Sequence, residues 1–181
     1  MTQPTLRGLP FRALGGQPGF RPQDVEPFVD DRRIGVLAYV RRDGRPNQTP
    51  IWYSYQDGAV HMTTTTGSPK HRALERHPSV SLTIQDERPP YRAVIIDGVA
   101  TLRPLDPAAN PTAGMAVRYL GRVGASAYDN LTNEVYERTG LTLITLTPTE
   151  VKGFDNLNAL SLVERAFVYV RERIPVPRRW L

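Results

Sequence analysis

The chain has 181 residues, 40% hydrophobic and 23% charged, with a formal net charge of +5. That length allows one well-buried domain and is short for two. The absence of cysteine excludes disulfides, thiolate catalysis and cysteine-bound metals, and no apolar run approaches the roughly 18 residues of a membrane-spanning helix. The N-terminus lacks a continuous apolar stretch, so the expectation is no signal peptide and a cytoplasmic location. Lys70 and Lys152 are the only lysines. The positive charge is therefore almost wholly arginine, whose planar fork suits carboxylates and phosphates. These arginines are dispersed, without a dense basic helix or an aromatic-rich RNA-binding signature. That favours an anionic small molecule over nucleic acid as the partner.

Residues 1–20 are rich in Gly, Pro and Arg without periodicity and read as a flexible, extended arm; residues 21–181 read as a single domain. Pro22 to Asp31 suits a short helix with Val25, Phe28 and Val29 on one face. Ile34–Val40 is a β-prone run ending at Arg42-Asp43-Gly44, a hairpin signal of the type I′ kind. A second strand spans about Asn47 to Tyr55, Gln56-Asp57-Gly58 supplies another hairpin turn, and a third strand enters the run Thr63–Thr66. These three strands read as a meander. Gly67-Ser68-Pro69 then turns the chain into a short basic helix closed by His77-Pro78.

Val80, Leu82 and Ile84 alternate with polar residues, the pattern of a half-buried strand. After the loop Asp86–Pro90, a long strand covers Arg92–Leu102, with Gly98 suited to a bend or bulge. Helices follow over Thr112–Leu120, ending at Gly121, and over Ala125–Arg138. Leu141–Leu146 is a sixth strand, terminated by Thr147-Pro148. In the last segment Leu160, Val163, Phe167, Val170 and Ile174 form one apolar stripe of a helix, suited to core packing or, alternatively, to a dimer contact. The fold expected is mainly β (α+β): a six-stranded antiparallel barrel with peripheral helices.

The stretch Val60–Val80 carries the densest chemistry. Four threonine hydroxyls, Ser68, Lys70, Arg72 and the N–H groups of a helix start lie within a short span, a plausible cradle for a phosphate. The nucleotide-triphosphate P-loop spacing is absent. His61, His71 and His77 are not spaced as metal ligands, and neither a nucleophile elbow nor paired carboxylates occur. Trp52, Tyr53 and Tyr55 could support a planar ring lying across the strands while its phosphate reaches the helix.

On these residues the chain resembles the pyridoxamine 5′-phosphate oxidase-like (flavin reductase-like) split β-barrel superfamily, with the nearest likeness to its F420-dependent oxidoreductases of group B. The resemblance spans about Asp24 to Phe154. It is carried by RIGVLAYVRRDGRPNQTPIWYSY, TTTTGSPKHRAL, PYRAVIIDGVATL, and RYLG followed by ITLTPTEVKGFD. It implies a homodimer with cofactor sites at the subunit interface. Lys70 and Arg72 would match the phosphate-gripping K-x-R element, with Thr64, Thr65, Thr66 and Ser68 as nearby hydroxyls. Gln48, Pro50, Ile51 and Trp52 would lie along the ring, and Arg92 would face the cofactor from the dimer interface. Gln48, Tyr53 and Ser68-Pro69-Lys70 depart from a true pyridoxamine phosphate oxidase, and IPVPRRWL does not match its C-terminal block. The implied function is hydride transfer between F420, or alternatively FMN, and a small unsaturated or conjugated substrate. A non-catalytic flavin-, deazaflavin- or tetrapyrrole-binding role is the alternative. No catalytic residue is assigned; Tyr53, Tyr91 and solvent are the candidate proton donors.

Overall fold

A computed structural model describes residues 6–173. They form one mostly antiparallel sheet that does not close, with helices packed around it. The strands are β1 (Phe11–Ala13), β2 (Gly35–Val40), β3 (Pro46–Ile51), β4 (Ser54–Gln56), β5 (Ala59–Thr65), β6 (Ser79–Gln85), β7 (Arg92–Pro104) and β8 (Leu141–Asp155). The helices are α1 (Pro22–Asp30), α2 (Pro69–Arg76), α3 (Met115–Thr139) and α4 (Leu162–Arg173). The order across the sheet is β3-β2-β6-β7-β8-β5-β4, with β1 added in parallel to β8.

Six strands were expected and eight are present among the described residues. One extra comes from Asn47–Tyr55, which breaks at Trp52-Tyr53 into β3 and β4. β3 pairs with β2 and β4 pairs with β5, so two segments joined by two residues sit at opposite edges of the sheet. The predicted meander is therefore interrupted, and the opening between β3 and β4 is where the sheet fails to close. The other extra strand, β1, lies in the segment read as an arm. Phe11–Ala13 pairs with Val151–Gly153, and Leu6 and Phe20 are buried in the core. The described part of that arm is docked, because its apolar side chains complete a core that the sheet and α1 leave open.

The turn signals resolve into two geometries. Asp57 and Gly58 both have positive φ (53° and 76°), as a type I′ turn requires. At the first hairpin only Gly44 is left-handed (φ 78°), and its N–H reaches the Arg41 carbonyl at 3.0 Å. The Arg41 N–H in turn reaches the Arg45 carbonyl at 2.9 Å. That is a type I turn followed by a left-handed glycine, not the type I′ turn expected.

The sixth strand also runs further than its sequence suggests. Thr147-Pro148 does not end β8, which continues to Asp155. Proline lacks the N–H a ladder needs, and such breaks are tolerated at bulges. Here the register shifts between Asp97 and Gly98, which sit against Glu150 and Pro148. Gly98 is required by close approach: a Cβ there would stand 2.2 Å from the Thr147 carbonyl oxygen.

The core gathers Val25, Phe28 and Val29 of α1 with Leu37, Tyr53, Met62, Leu82, Ile84, Ile96, Ile144 and Leu146 of the sheet. The expected α1 face is the buried one. The α4 stripe is not. Leu162, Val163, Phe167 and Val170 are 84%, 79%, 70% and 50% exposed, so the expectation of core packing fails within this chain. Ile174 lies outside the described residues. No helix among the described residues is long and apolar enough to cross a membrane.

Replacing Gly98 by alanine should destabilise the protein by about 1–3 kcal/mol, because backbone, not a flexible side-chain end, occupies the space. A urea titration checks this, and an unchanged midpoint would mean that the bulge relaxes freely.

Candidate functional site

The break between β3 and β4 and the end of β5 face one another across a cavity of about 370 Å³. Pro50, Ile51 and Trp52 line one wall and Thr64, Thr65 and Lys70 another, so six of the residues chosen from sequence converge there. Local geometry explains the second wall. β5 ends at Thr65, Gly67 takes φ 71°, and Ser68 caps α2, its hydroxyl accepting the His71 N–H at 3.2 Å. The Ser68 hydroxyl also lies 3.2 Å from that of Thr64. Pro69 occupies the first helical position, where its missing N–H costs nothing.

Lys70 is the electrostatic centre of this cavity. No carboxylate pairs with it among the described residues, and burial depresses its pKa below the ordinary lysine value. An ammonium partly removed from water with no counter-charge is unfavourable in the ligand-free protein and favourable toward an anion. Arg72 does not line this cavity. Residues two apart on a helix point to opposite sides, and Arg72 is exposed outside the cavity lined by Lys70. Gln48 is likewise exposed on the edge strand β3. Thr66 is turned to Thr142, their hydroxyls 2.8 Å apart.

Arg92 is elsewhere. It bonds Asp86 at 2.6 Å, its guanidinium 5.0 Å from the Phe28 ring, and lines a different cavity beneath α4. Tyr53 is no proton donor. It is fully buried, and its hydroxyl donates to the Val29 carbonyl at 2.8 Å. Tyr91 is 52% exposed and does not line the Lys70 cavity.

The residues that sequence reasoning missed come from α3. Gly121 interrupts that helix with φ 73° and ψ 171°, so it is two helical segments, as the sequence suggested. The first segment brings Tyr119 onto Trp52, ring centroids 5.1 Å apart and planes within 3°. The Tyr119 hydroxyl donates to the Arg33 carbonyl at 2.7 Å and lies 3.4 Å from the Tyr53 N–H, which donates to it. One phenol thus ties Tyr53, within the break, to Arg33, just ahead of β2. The second segment brings Tyr128 against Trp52, centroids 5.1 Å apart at 47°. Tyr128 and Tyr136, whose hydroxyls are 2.7 Å apart, both line the cavity. Burial, helped by the Tyr136 hydroxyl, pushes the Tyr128 phenol up to about 12. It stays protonated and can donate a hydrogen bond across the neutral range. Two tyrosines eight residues apart on a predicted helix were the available signal, and nothing in their spacing tied them to Trp52.

The cavity therefore offers an aromatic wall, hydroxyls at a strand end, one uncompensated cation and a hydrogen-bonded pair of phenols. This fits a planar ring carrying a phosphate. Among the described residues no group of three or more His, Asp or Glu side chains is placed to hold a metal ion.

Comparison with known proteins gives three kinds of finding. The family model described as pyridoxamine 5′-phosphate oxidase matches residues 22–155. Among curated proteins there is no significant match. Among solved structures, a conserved hypothetical protein of Mycobacterium tuberculosis aligns with a TM-score of 0.64 and 24% identity over 81% of this chain and 92% of that one. An F420 reductase aligns at 0.50 with 23% identity, covering 70% and 94%. A FAD-binding protein of Mesorhizobium loti aligns at 0.51 with 16% identity, covering 74% and 92%. At these identities the structural likeness establishes the shared α+β fold.

Tyr119→Phe should keep the stack on Trp52 but leave the Arg33 carbonyl and the Tyr53 N–H short of a partner. A loss of about 1–3 kcal/mol is expected in denaturant unfolding. A loss below a few tenths would show that the phenol does not hold the break together.

Proposed function

The chain belongs to the pyridoxamine 5′-phosphate oxidase family, and from that premise we propose that it is an oxidoreductase using a flavin-type cofactor, with the deazaflavin F420 favoured over FMN. The observation that carries this reading is Lys70: a partly buried ammonium without a carboxylate, beside Thr64, Thr65 and the aromatic wall of Trp52. The F420 reductase and the FAD-binding protein among the structural relatives support a cofactor of this class.

Lys70 would hold the phosphate through a charge-assisted bond, with Thr64 and Thr65 donating hydroxyls. Pro50, Ile51 and Trp52 would lie along the ring, and Trp52 is fixed for that purpose by Tyr119. When bound, the cofactor supplies hydride chemistry, exchanged with a small unsaturated or conjugated substrate. Reducing such a substrate by hydride also requires one proton. The Tyr128–Tyr136 pair lines the same cavity and would act as a hydrogen-bond donor to developing negative charge, with the proton itself drawn from solvent. Tyr128 is too weak an acid for the role of a strong proton source. F420 is favoured because its anionic tail can use an arginine surplus that FMN would leave idle. The proposed assembly is a homodimer, supported by the exposed apolar side chains of α4.

Fluorescence titrations with oxidised F420 and with FMN should show saturable, tighter binding of F420. Lys70→Gln should weaken binding by roughly 10- to 100-fold, the range of one hydrogen bond to a charged group, whereas Arg72→Gln should change it by less than about threefold. Affinity should fall in alkaline solution as pH rises through the depressed Lys70 pKa, because the neutral amine loses the phosphate. In the ligand-free protein the sign is opposite. The unfolded chain holds the Lys70 proton more tightly than the folded one, so this residue's contribution to stability rises with pH over the same interval. Lys70→Gln without ligand should therefore be no less stable than the parent. Binding of neither cofactor would overturn the reading, and tighter binding of FMN would move the protein to the flavin-using branch.

A separate check addresses the assembly. Sedimentation should give a dimer, and Phe167→Glu should shift it to monomer without changing the far-UV circular dichroism. A monomeric parent protein would reject the dimer.

A further inference from the structure

A second cavity is larger than the one around Lys70. A space of about 790 Å³ lies beneath α4, lined by five arginines and three carboxylates, an excess of two positive charges (+5 − 3). Its floor is already neutralised. Arg33 pairs with Asp86 at 2.8 Å and Asp31 at 3.1 Å, and Arg92 pairs with Asp86 at 2.6 Å. Arg32, Arg88 and Arg165 complete the arginines. Among the described residues none of these three guanidinium groups has a carboxylate within 4.0 Å, and Arg165 donates only to the Leu160 carbonyl at 3.1 Å. Apart from Gln85, the rest of the lining is apolar or aromatic, including Ile34, Tyr119, Val168 and Tyr169.

Two residues join this cavity to the one around Lys70. Ile34 lines both. Tyr119 lines the larger cavity while its ring lies on Trp52, which lines the smaller. A molecule in the larger space would therefore lie against Tyr119, the ring that backs Trp52. Its volume falls within the roughly 300–1,000 Å³ of small-molecule sites.

We propose that this cavity is the acceptor half of the site and selects substrates bearing a carboxylate on an apolar body, with Arg88, Arg165 and Arg32 holding the carboxylate and Ile34, Tyr119 and Tyr169 the body. The inference rests on the oxidoreductase reading above. It adds the substrate class, an anion, because the positive charge of the Lys70 cavity is already assigned to the cofactor phosphate. Guanidinium groups suit the role because a planar fork meets a carboxylate through two parallel bonds. Arg33 and Arg92, already paired with Asp86 and Asp31, shape the floor instead of competing for the ligand.

The test uses the full-length protein and a fluorescent probe pair, 2-naphthoate and its neutral isostere 2-naphthamide, titrated at low and high salt. The expected result is saturable naphthoate binding at least tenfold tighter than naphthamide, weakened by salt. Arg88→Gln/Arg165→Gln should lower naphthoate affinity at least tenfold and leave naphthamide unchanged. Arg32→Gln/Arg88→Gln, which leaves the Arg165 bond to Leu160 in place, should do the same if the first variant is impaired in folding. FMN and F420 titrations on the same samples separate the two readings. Arginine-dependent naphthoate binding without cofactor binding would sink the oxidoreductase proposal and keep the anion cavity. Cofactor binding with no preference for naphthoate over naphthamide would overturn the present inference alone. It is equally overturned if the double variants lose F420 but not FMN affinity, because the arginines would then serve the cofactor's own anionic tail.

Discussion

The two-residue break at Trp52-Tyr53 is the constraint from which the rest of the site follows. Tyr53 turns inward, where its ring is fully buried and its hydroxyl is bound to the Val29 carbonyl. Gly35 makes room for it, since a Cβ there would meet the Tyr53 ring at 3.2 Å and a Leu82 methyl at 2.9 Å. Trp52 is left on the open side, and Tyr119 covers one face of it. Had the strand continued unbroken, β3 and β4 could not sit at opposite edges of the sheet, and no cavity would separate Pro50 from Thr64. The opening in the sheet and the aromatic wall of the cavity have one cause. Arg118 strengthens the same clamp by donating to the Asp30 carbonyl, tying α3 to the end of α1 beside the break.

Much of the fold was legible because its determinants are local. Asp57-Gly58 needs left-handed φ at both positions and obtained it. The alternation of Val80, Leu82 and Ile84 became the buried face of β6, and Gly121 divided α3 where expected. What could not be read depended on partners distant in the chain. Pro148 looks like a strand end until Gly98, 50 positions earlier, supplies the bulge that accommodates it. Phe11–Ala13 shows no strand periodicity in three residues, and only the free edge of β8 recruits it. The α4 stripe has the periodicity of a buried helix. Its exposure shows that amphipathicity marks a face to be covered without saying by what.

The site divides along the same line. Residues carried by one continuous segment, Pro50 to Trp52 and Thr64 to Lys70, were found together and lie together. Arg72 was grouped with Lys70 by sequence spacing, yet helical geometry sends neighbours two apart to different faces. Tyr119, Tyr128 and Tyr136 were invisible as site residues because their relation to Trp52 is tertiary. Arg92, expected at the cofactor, is in this chain committed to Asp86 and lines the neighbouring cavity instead.

The distribution of charge compensation separates scaffold from site more sharply than any motif does. Where cations serve the fold they are paired: Arg33 and Arg92 with Asp86, Lys152 with Asp97, Arg12 with Glu150. Of the two lysines, then, one is neutralised on the sheet and the other, Lys70, has its pKa depressed by burial alone, with no carboxylate named among the causes. Leaving an ammonium in that condition costs stability that a nearby aspartate would restore. No such aspartate stands there among the described residues, and the wall opposite is aromatic and hydroxylic, so no described carboxylate compensates the charge. The same logic applies on the far side of Ile34. The floor arginines are satisfied, whereas among the described residues Arg32, Arg88 and Arg165 have no carboxylate partner, so two cavities with unpaired positive charge meet at Ile34.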